Sequence, residues 1–93
     1  MKTPPRLTGN IEFVQDKDRI IIAGDPEGLR SFAEMLNWLA NVDQGSIKNM
    51  PDGEREHIHL SPGTHISYNS RETEICRLDS RGTGDFPESY KSV

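Results

Sequence analysis

Two histidines stand two residues apart in the segment EHIHLSPG, residues 56–63, and this spacing could carry chemistry. In an extended strand, side chains two residues apart share a face, so His57 and His59 would project side by side. Such a pair is compatible with a metal site, a catalytic pair or an ordinary solvent-facing strand. Zinc needs three or four ligands, and the remaining histidine, His65, lies beyond a turn. We therefore predict no metal site and no cofactor.

The other residues with catalytic potential lack the partners that their chemistry requires. Cys76 lies in the apolar-flanked segment EICRL, where a buried thiol normally behaves as an inert small hydrophobe. As a nucleophile it would need an adjacent base and an anion-stabilising site. The segment GDPEGL predicts a helix cap rather than a phosphate-binding loop, because an acidic residue stands where an anion would bind. Acidic pairs on strand-like segments usually only solubilise the chain, and two are present: Glu54 with Glu56, and Glu72 with Glu74. We predict that the protein is not an enzyme.

Length and charge narrow the classes of function. The 93 residues suffice for one domain, and 15 acidic against 11 basic residues give a net charge of −4. Nucleic acid is disfavoured as a partner because phosphate binding requires a basic face, whereas a basic protein partner is compatible with this charge. The single cysteine excludes an internal disulfide, and no apolar run approaches the roughly 18 residues of a membrane span. With no signal-peptide pattern after Lys2, we expect a cytoplasmic protein. The oligomeric state stays open.

The elements that must position the histidines follow from periodicity and turn signals. Strand-like alternation and β-branched residues predict an antiparallel hairpin, a 3.6-residue apolar period predicts a helix, and two more strands follow the polar connection 43–55. The predicted strands span 10–15, 19–24, 56–61 and 73–80, and the helix spans 26–42. The order β-β-α-β-β predicts a two-layer α+β domain, with one helix on one face of a mostly antiparallel sheet. We expect the domain over 10–80, between a flexible arm at 1–9 and a disordered tail at 81–93.

The predicted helix has start signals and an apolar stripe. Asp25 is expected to cap it, and Pro26 suits the first helical position. The stripe spans about 120° at 3.6 residues per turn and is expected to lie on the sheet. Its members are Leu29, Phe32, Ala33, Leu36, Leu39 and Ala40. Trp38 falls on the opposite side, so it is either covered by the chain itself or used as a contact for a partner.

The histidines and Trp38 are the candidate partner-binding residues. Ile58 and Leu60 are expected to face the helix, which leaves His57 and His59 on the open face. There the imidazoles offer hydrogen bonds and flat packing without a large charge, although a plain solvated strand would show the same pattern. For Trp38, three segments are available as an intrachain cover: the Pro4–Pro5 arm, the 43–55 connection, and Phe86 with Tyr90 of the tail.

The segments GDPEGLRSFAEMLNWLA, HIHLSPG and TEICRLD, with a polar spacer after the first, resemble a family of small bacterial immunity proteins of polymorphic toxin systems. The resemblance covers residues 20–79 and consists of a capped helix followed by a His-x-His-Leu strand. It implies a non-catalytic protein that binds one cognate toxin tightly and occludes it. The matching positions are Asp25, Gly28, Leu29, His57, His59 and Leu60.

Two other roles stay open beside immunity. One is a small metal-binding protein or enzyme that uses the histidines, and the other is a general interaction module with no toxin. For a binding role we predict contacts at His57, His59 and Trp38. The open sheet face is favoured over the Trp38 side, because it is the larger continuous surface and its edges can accept a strand.

Overall fold

A computed structural model describes residues 3–82 of the chain. The elements, in chain order, are β1 (Ile11–Asp16), β2 (Arg19–Gly24), α1 (Pro26–Asn41), a 3₁₀ turn (Gln44–Ser46), β3 (His57–Leu60) and β4 (Thr73–Cys76). The predicted α+β class and the order β-β-α-β-β are confirmed. No helix within the described residues has the length and apolarity that crossing a bilayer requires.

The strands form two separate antiparallel sheets, β1–β2 and β3–β4, where one sheet was expected. The irregular segment 67–71 accounts for part of this difference, because it takes hydrogen-bonding groups on the far edge of β1. The backbone N–H of Ser67 donates to Ile11 O at 3.0 Å, and that of Arg71 donates to Phe13 O at 2.7 Å. These irregularly spaced contacts hold the segment against β1 without making it a strand.

The helix begins in close contact with the chain that leads into β1. Asp25 caps it as predicted, since its carboxylate accepts from Gly28 N at 2.7 Å. The same carboxylate accepts from the backbone N–H and the side-chain amide of Asn10, at 3.1 and 2.8 Å. The Asn10 amide, followed by the backbone N–H groups of Gly28 and Asn10, holds the pKa of Asp25 below its ordinary value. A side chain on Gly28 would place its Cβ 2.1 Å from Asn10 O, so this position requires glycine.

The predicted apolar stripe is right for Leu39, which is buried, and for Phe32, which packs against the core, but wrong for its other four members. The helix is rotated about its own axis relative to the expectation. Its buried residues are Gly28, Ser31, Met35 and Leu39, whereas four stripe residues are exposed: Leu29, Ala33, Leu36 and Ala40. The close approach of Gly28 to Asn10 fixes one side of the rotation. On the other side, Thr8 N donates to Ser31 Oγ at 3.0 Å and the Ser31 hydroxyl donates to Thr8 O at 2.9 Å.

One apolar core joins the helix to both sheets. Its buried members are Ile11, Phe13, Met35, Leu39, Ile58, Leu60 and Ile66. Phe32 of the helix packs edge-on against Phe13 of β1, with ring centroids 5.3 Å apart. The core therefore takes β1 and β3 as its two walls, and the helix closes it.

A cluster of polar side chains attaches the end of the helix to the chain beyond β4. Arg77 Nη1 donates to Leu39 O at 3.1 Å and to Val42 O at 2.8 Å, which satisfies carbonyls that a helix end leaves open. Its other guanidinium nitrogens bond both oxygens of Asp79, at 2.8 and 2.7 Å. This contact raises the pKa of Arg77 and lowers that of Asp79.

Parts of the predicted arm, 1–9, and of the predicted tail, 81–93, make contacts with the rest of the chain. Within the predicted arm, Leu7 packs against the core and Thr8 bonds to Ser31. Arg81, which was assigned to the tail, donates through its backbone N–H to Glu54 O at 2.7 Å. Residues 83–93 of the predicted tail, including Phe86 and Tyr90, lie outside the described residues, as do residues 1–2. The domain boundaries at 10 and 80 stay predictions.

Candidate functional site

The strand β3 places its histidines on an exposed face. Ile58 and Leu60 are buried in the core, and His57 and His59 are exposed on the opposite side, as the alternation predicted. The two imidazole rings contact each other edge to face, with centroids 4.8 Å apart and an interplanar angle of 86°. The spacing of two residues therefore produces one small aromatic and polar surface, which we call the histidine face.

The neighbours of the histidine face determine what it can do chemically. His59 lies opposite Glu74 of β4, and His59 Nδ1 is 3.9 Å from Glu74 Oε1. His57 Nδ1 is 3.1 Å from the carbonyl oxygen of Arg55. In a neutral ring, a hydrogen bond to that carbonyl requires the proton on Nδ1, which leaves Nε2 as an acceptor. The face thus offers hydrogen-bond donors and acceptors to a binding partner.

The remaining histidine and the cysteine lie in separate local environments. Among residues 3–82, no group of three His, Cys, Asp or Glu side chains is arranged to hold a metal ion. His65 has a local role, since its Nδ1 accepts from Ser61 N at 3.0 Å. Cys76 lies opposite His57 in the ladder, with its Sγ 3.7 Å from Arg55 Nη1. Absence of a bound metal stays a prediction.

Trp38 lies away from the histidines, on a flank of the helix. It is half-buried and packs against the core. It also lines an open cleft of about 880 Å³, which the early part of the 43–55 connection helps to form. The other lining residues are Asn41, Val42, Asp43, Ser46, Ile47, Lys48, Asn49 and Glu56. Of the three covers predicted for Trp38, the 43–55 connection lines the cleft beside it, and Phe86 with Tyr90 lie outside the described residues.

The sequence reading missed an exposed apolar surface formed by Ile20, Ile22, Leu29 and Leu36, which we call the β2–α1 surface. Ile22 lies opposite Phe13 in the ladder, so Ile20 and Ile22 lie on the helix-facing side of β2. The exposed fractions are 76% for Ile20, 47% for Ile22, 47% for Leu29 and 39% for Leu36. The segment RIIIAG could have indicated this surface, because a strand with one face in water alternates apolar and polar residues, and this segment does not.

The comparison with protein families decides the relationship of the chain. The family model described as Immunity protein 32 matches residues 19–78, which is more than half of the chain. The chain belongs to the Immunity protein 32 family. The resemblance to immunity proteins is thereby confirmed, and the match to Immunity protein 32 runs from the start of β2 to two residues beyond β4. No curated protein and no solved structure matches the chain.

Family membership implies a toxin partner in general terms, and immunity proteins are generally non-catalytic. The six positions that carried the resemblance fall into two groups in this Immunity protein 32 member. Asp25, Gly28 and Leu60 support the fold, through the helix cap, the close approach to Asn10 and the core. Leu29, His57 and His59 are exposed and available to a partner.

Proposed function

We propose that the protein binds one cognate protein toxin and neutralises it by occlusion, without a reaction of its own. The observation that carries the proposal is the match to Immunity protein 32 over residues 19–78. That segment contains the histidine face, Trp38 and the β2–α1 surface, so every candidate contact lies within the matched part of the chain. The proposal includes a bacterial origin and a cytoplasmic site of action.

We assign the toxin contact to the histidine face. Its two imidazoles and the carboxylate of Glu74 combine flat packing with hydrogen bonding, and specific interfaces combine both kinds of contact. Because Ile58 and Leu60 anchor β3 in the core, the histidines are presented from a strand with a buried opposite side. A strand that is already held in place loses less conformational entropy when a partner binds.

Trp38 is assigned mainly to stability in this proposal. Its half-buried ring packs against the core and forms one wall of the cleft, so its removal would leave a cavity on the flank of the helix. A direct contact with the toxin at Trp38 is the alternative. Variants at Trp38 and at the histidines separate the two assignments.

Co-expression tests the proposed function. The product of the gene next to this one is expressed from an inducible promoter, alone and together with the full chain. The proposal predicts that the neighbour arrests growth, that the chain restores growth, and that the two proteins co-purify in equal amounts. Growth arrest that the chain does not relieve, with no complex on purification, would contradict the proposal.

A further inference from the structure

The two edges of the β1–β2 sheet differ in what lies against them. On the β1 edge, the carbonyl groups of Ile11 and Phe13 accept hydrogen bonds from Ser67 and Arg71. On the β2 edge, no strand of the described residues pairs, since β2 has β1 as its single neighbour there. Within residues 3–82 the sheet is therefore closed on one side and open on the other.

The register identifies which backbone groups point outward from β2. Asp25 N donates to Asn10 O at 3.0 Å, just beyond the last paired residues of the ladder. In an antiparallel pair, the backbone N–H and C=O groups of successive residues alternate between bonding to the neighbouring strand and pointing away from it. Counting back from Asp25, the residues whose backbone N–H and C=O groups point away from β1 are Gly24, Ile22 and Ile20. The outward directions of Ile11 O and Phe13 O on β1 agree with this count.

The same residues also carry the exposed apolar side chains. Ile20 and Ile22 lie on the helix-facing side of β2. On that strand, a Cβ at Gly24 would lie 3.4 Å from the Leu29 side chain, and Leu36 lies two turns further along the same flank of α1. Edge strands of soluble proteins are usually protected by charges, prolines or bulges. The segment 20–24 reads IIIAG and contains none of these. Its outward backbone groups can pair with a further strand, and that strand would cover its exposed apolar side chains.

We propose that β2 pairs antiparallel with β2 of a second copy of the chain, which makes a two-fold dimer with a continuous sheet β1–β2–β2–β1. The favoured register sets Ile22 opposite Ile22 and Ile20 opposite Gly24. The outward N–H and C=O groups of these residues can then hydrogen-bond across the two copies. Paired residues then share a face, which places both helices on one side of the sheet. The four isoleucines at positions 20 and 22 lie between the helix flanks that carry Leu29 and Leu36.

Charge at the ends of β2 fits the same register. Pairing Ile22 with Ile22 brings Arg19 of one copy opposite Asp25 of the other, whose carboxylate caps the start of α1. The Arg19 guanidinium is exposed and bonds Asp16 at 3.0 Å, so the second copy would add another carboxylate beside it. This complementarity favours a second copy over an unrelated strand. The dimer uses the β1–β2 sheet and leaves the histidine face, on the other sheet, for two toxin molecules.

Sedimentation equilibrium of the full chain without toxin tests the dimer. The wild-type protein is expected to have twice the monomer mass at micromolar concentrations. Ile22→Lys is expected to give the monomer mass with an unchanged far-UV circular dichroism spectrum. Leu78→Lys is the matched control, because Leu78 is 48% exposed against 47% for Ile22, and it should stay dimeric. A monomeric wild-type protein, or a dimeric Ile22→Lys variant, would overturn the proposal.

Cysteine crosslinking tests the register and does not require the lysine variant to fold. In a Cys76→Ser background, Ile22→Cys is expected to form a disulfide-linked dimer on mild oxidation, since opposed residues lie within disulfide reach. Ile20→Cys should not crosslink, because its two copies would stand about 14 Å apart along the strands. Crosslinking of Ile20→Cys but not Ile22→Cys would overturn the register. If Ile22→Lys abolishes toxin binding while the wild-type chain alone is monomeric, the surface belongs to the toxin and the dimer is wrong.

Discussion

The two small sheets differ in how completely their apolar side chains are buried. In β3–β4, Ile58 and Leu60 of β3 are buried, and the opposite side of β3 carries the exposed histidines. In β1–β2, the apolar row of β1 is buried through Ile11 and Phe13, but the corresponding row of β2 is exposed. The helix packs on β1 through the contact of Phe32 with Phe13, whereas Ile20 and Ile22 of β2 stay exposed.

This difference separates two kinds of surface. A strand with a buried apolar side and an exposed polar side is complete by itself, so the histidines on β3 are free to serve recognition. A strand with exposed isoleucines and outward backbone groups is incomplete without a partner. The β3 surface therefore suits a partner that the folded chain does not need for its own stability, such as the proposed toxin, and the β2 edge suits the proposed second copy.

The largest expected effect separates the buried from the exposed side of the helix. Leu39→Ala should lower the free energy of unfolding by about 2–5 kcal/mol, because Leu39 is 4% exposed and lies in the core. Leu36→Ala is the matched control on the same helix, and we expect it to cost less than about 1 kcal/mol under monomeric conditions. Both values come from urea unfolding. Equal losses for the two variants would show that Leu36 is as buried as Leu39.

Gly28→Ala tests how the helix is held against the β1–β2 sheet. In an open helix, this change would stabilise by about 1 kcal/mol through backbone propensity. Here the new Cβ would stand 2.1 Å from Asn10 O, so we expect a loss of about 2 kcal/mol or more. Gly45→Ala is the control, since its Cβ would meet nothing closer than Asp43 Oδ1 at 3.4 Å. A stabilised Gly28→Ala protein in thermal unfolding would contradict the close approach.

Arg77→Ala tests the attachment of the helix end to the chain beyond β4. The change removes the Arg77 donor from the carbonyls of Leu39 and Val42 and leaves Asp79 without its ion pair, so we expect a loss of about 1–3 kcal/mol. The exposed pair of Arg19 with Asp16 provides the control, with an expected loss of about 0–1 kcal/mol for Arg19→Ala under monomeric conditions. Chemical denaturation measures both. A larger loss for Arg19→Ala would place the stronger contact on the β1–β2 side.

Acid unfolding compares the carboxylates that anchor the two ends of the helix. The folded state lowers the pKa of Asp25 and of Asp79 from an ordinary value of 3.8. A lowered pKa stabilises the fold above pH 3.8, and this contribution is lost as the pH falls through the folded-state pKa. We expect the melting temperature to drop below about pH 4, with a shallower drop in Asp79→Asn. An identical pH profile for Asp79→Asn and the wild type would show that Asp79 contributes nothing to the drop.

Sequence patterns were sufficient where a local rule decides the outcome. Asp25 could be recognised as a helix cap, and the alternation in HIHL correctly placed His57 and His59 on the exposed face. The rotation of the helix could not be recognised, because it depends on Gly28 and Ser31, which add nothing to a hydrophobic period. The division into two sheets depends on segment 67–71, whose contacts with β1 join residues more than fifty positions apart.

Isothermal titration of the cognate toxin tests the assignment of the interface most directly. The protein with His57→Ala and His59→Ala should unfold within about 0.5 kcal/mol of the wild type, because both side chains are exposed. Its affinity for the toxin should fall at least about tenfold, which corresponds to about 1.4 kcal/mol. Trp38→Ala should lose stability and, where folded, keep its affinity. A double histidine variant that binds as tightly as the wild type, beside a folded Trp38→Ala that no longer binds, would contradict the assignment and move the interface to the helix.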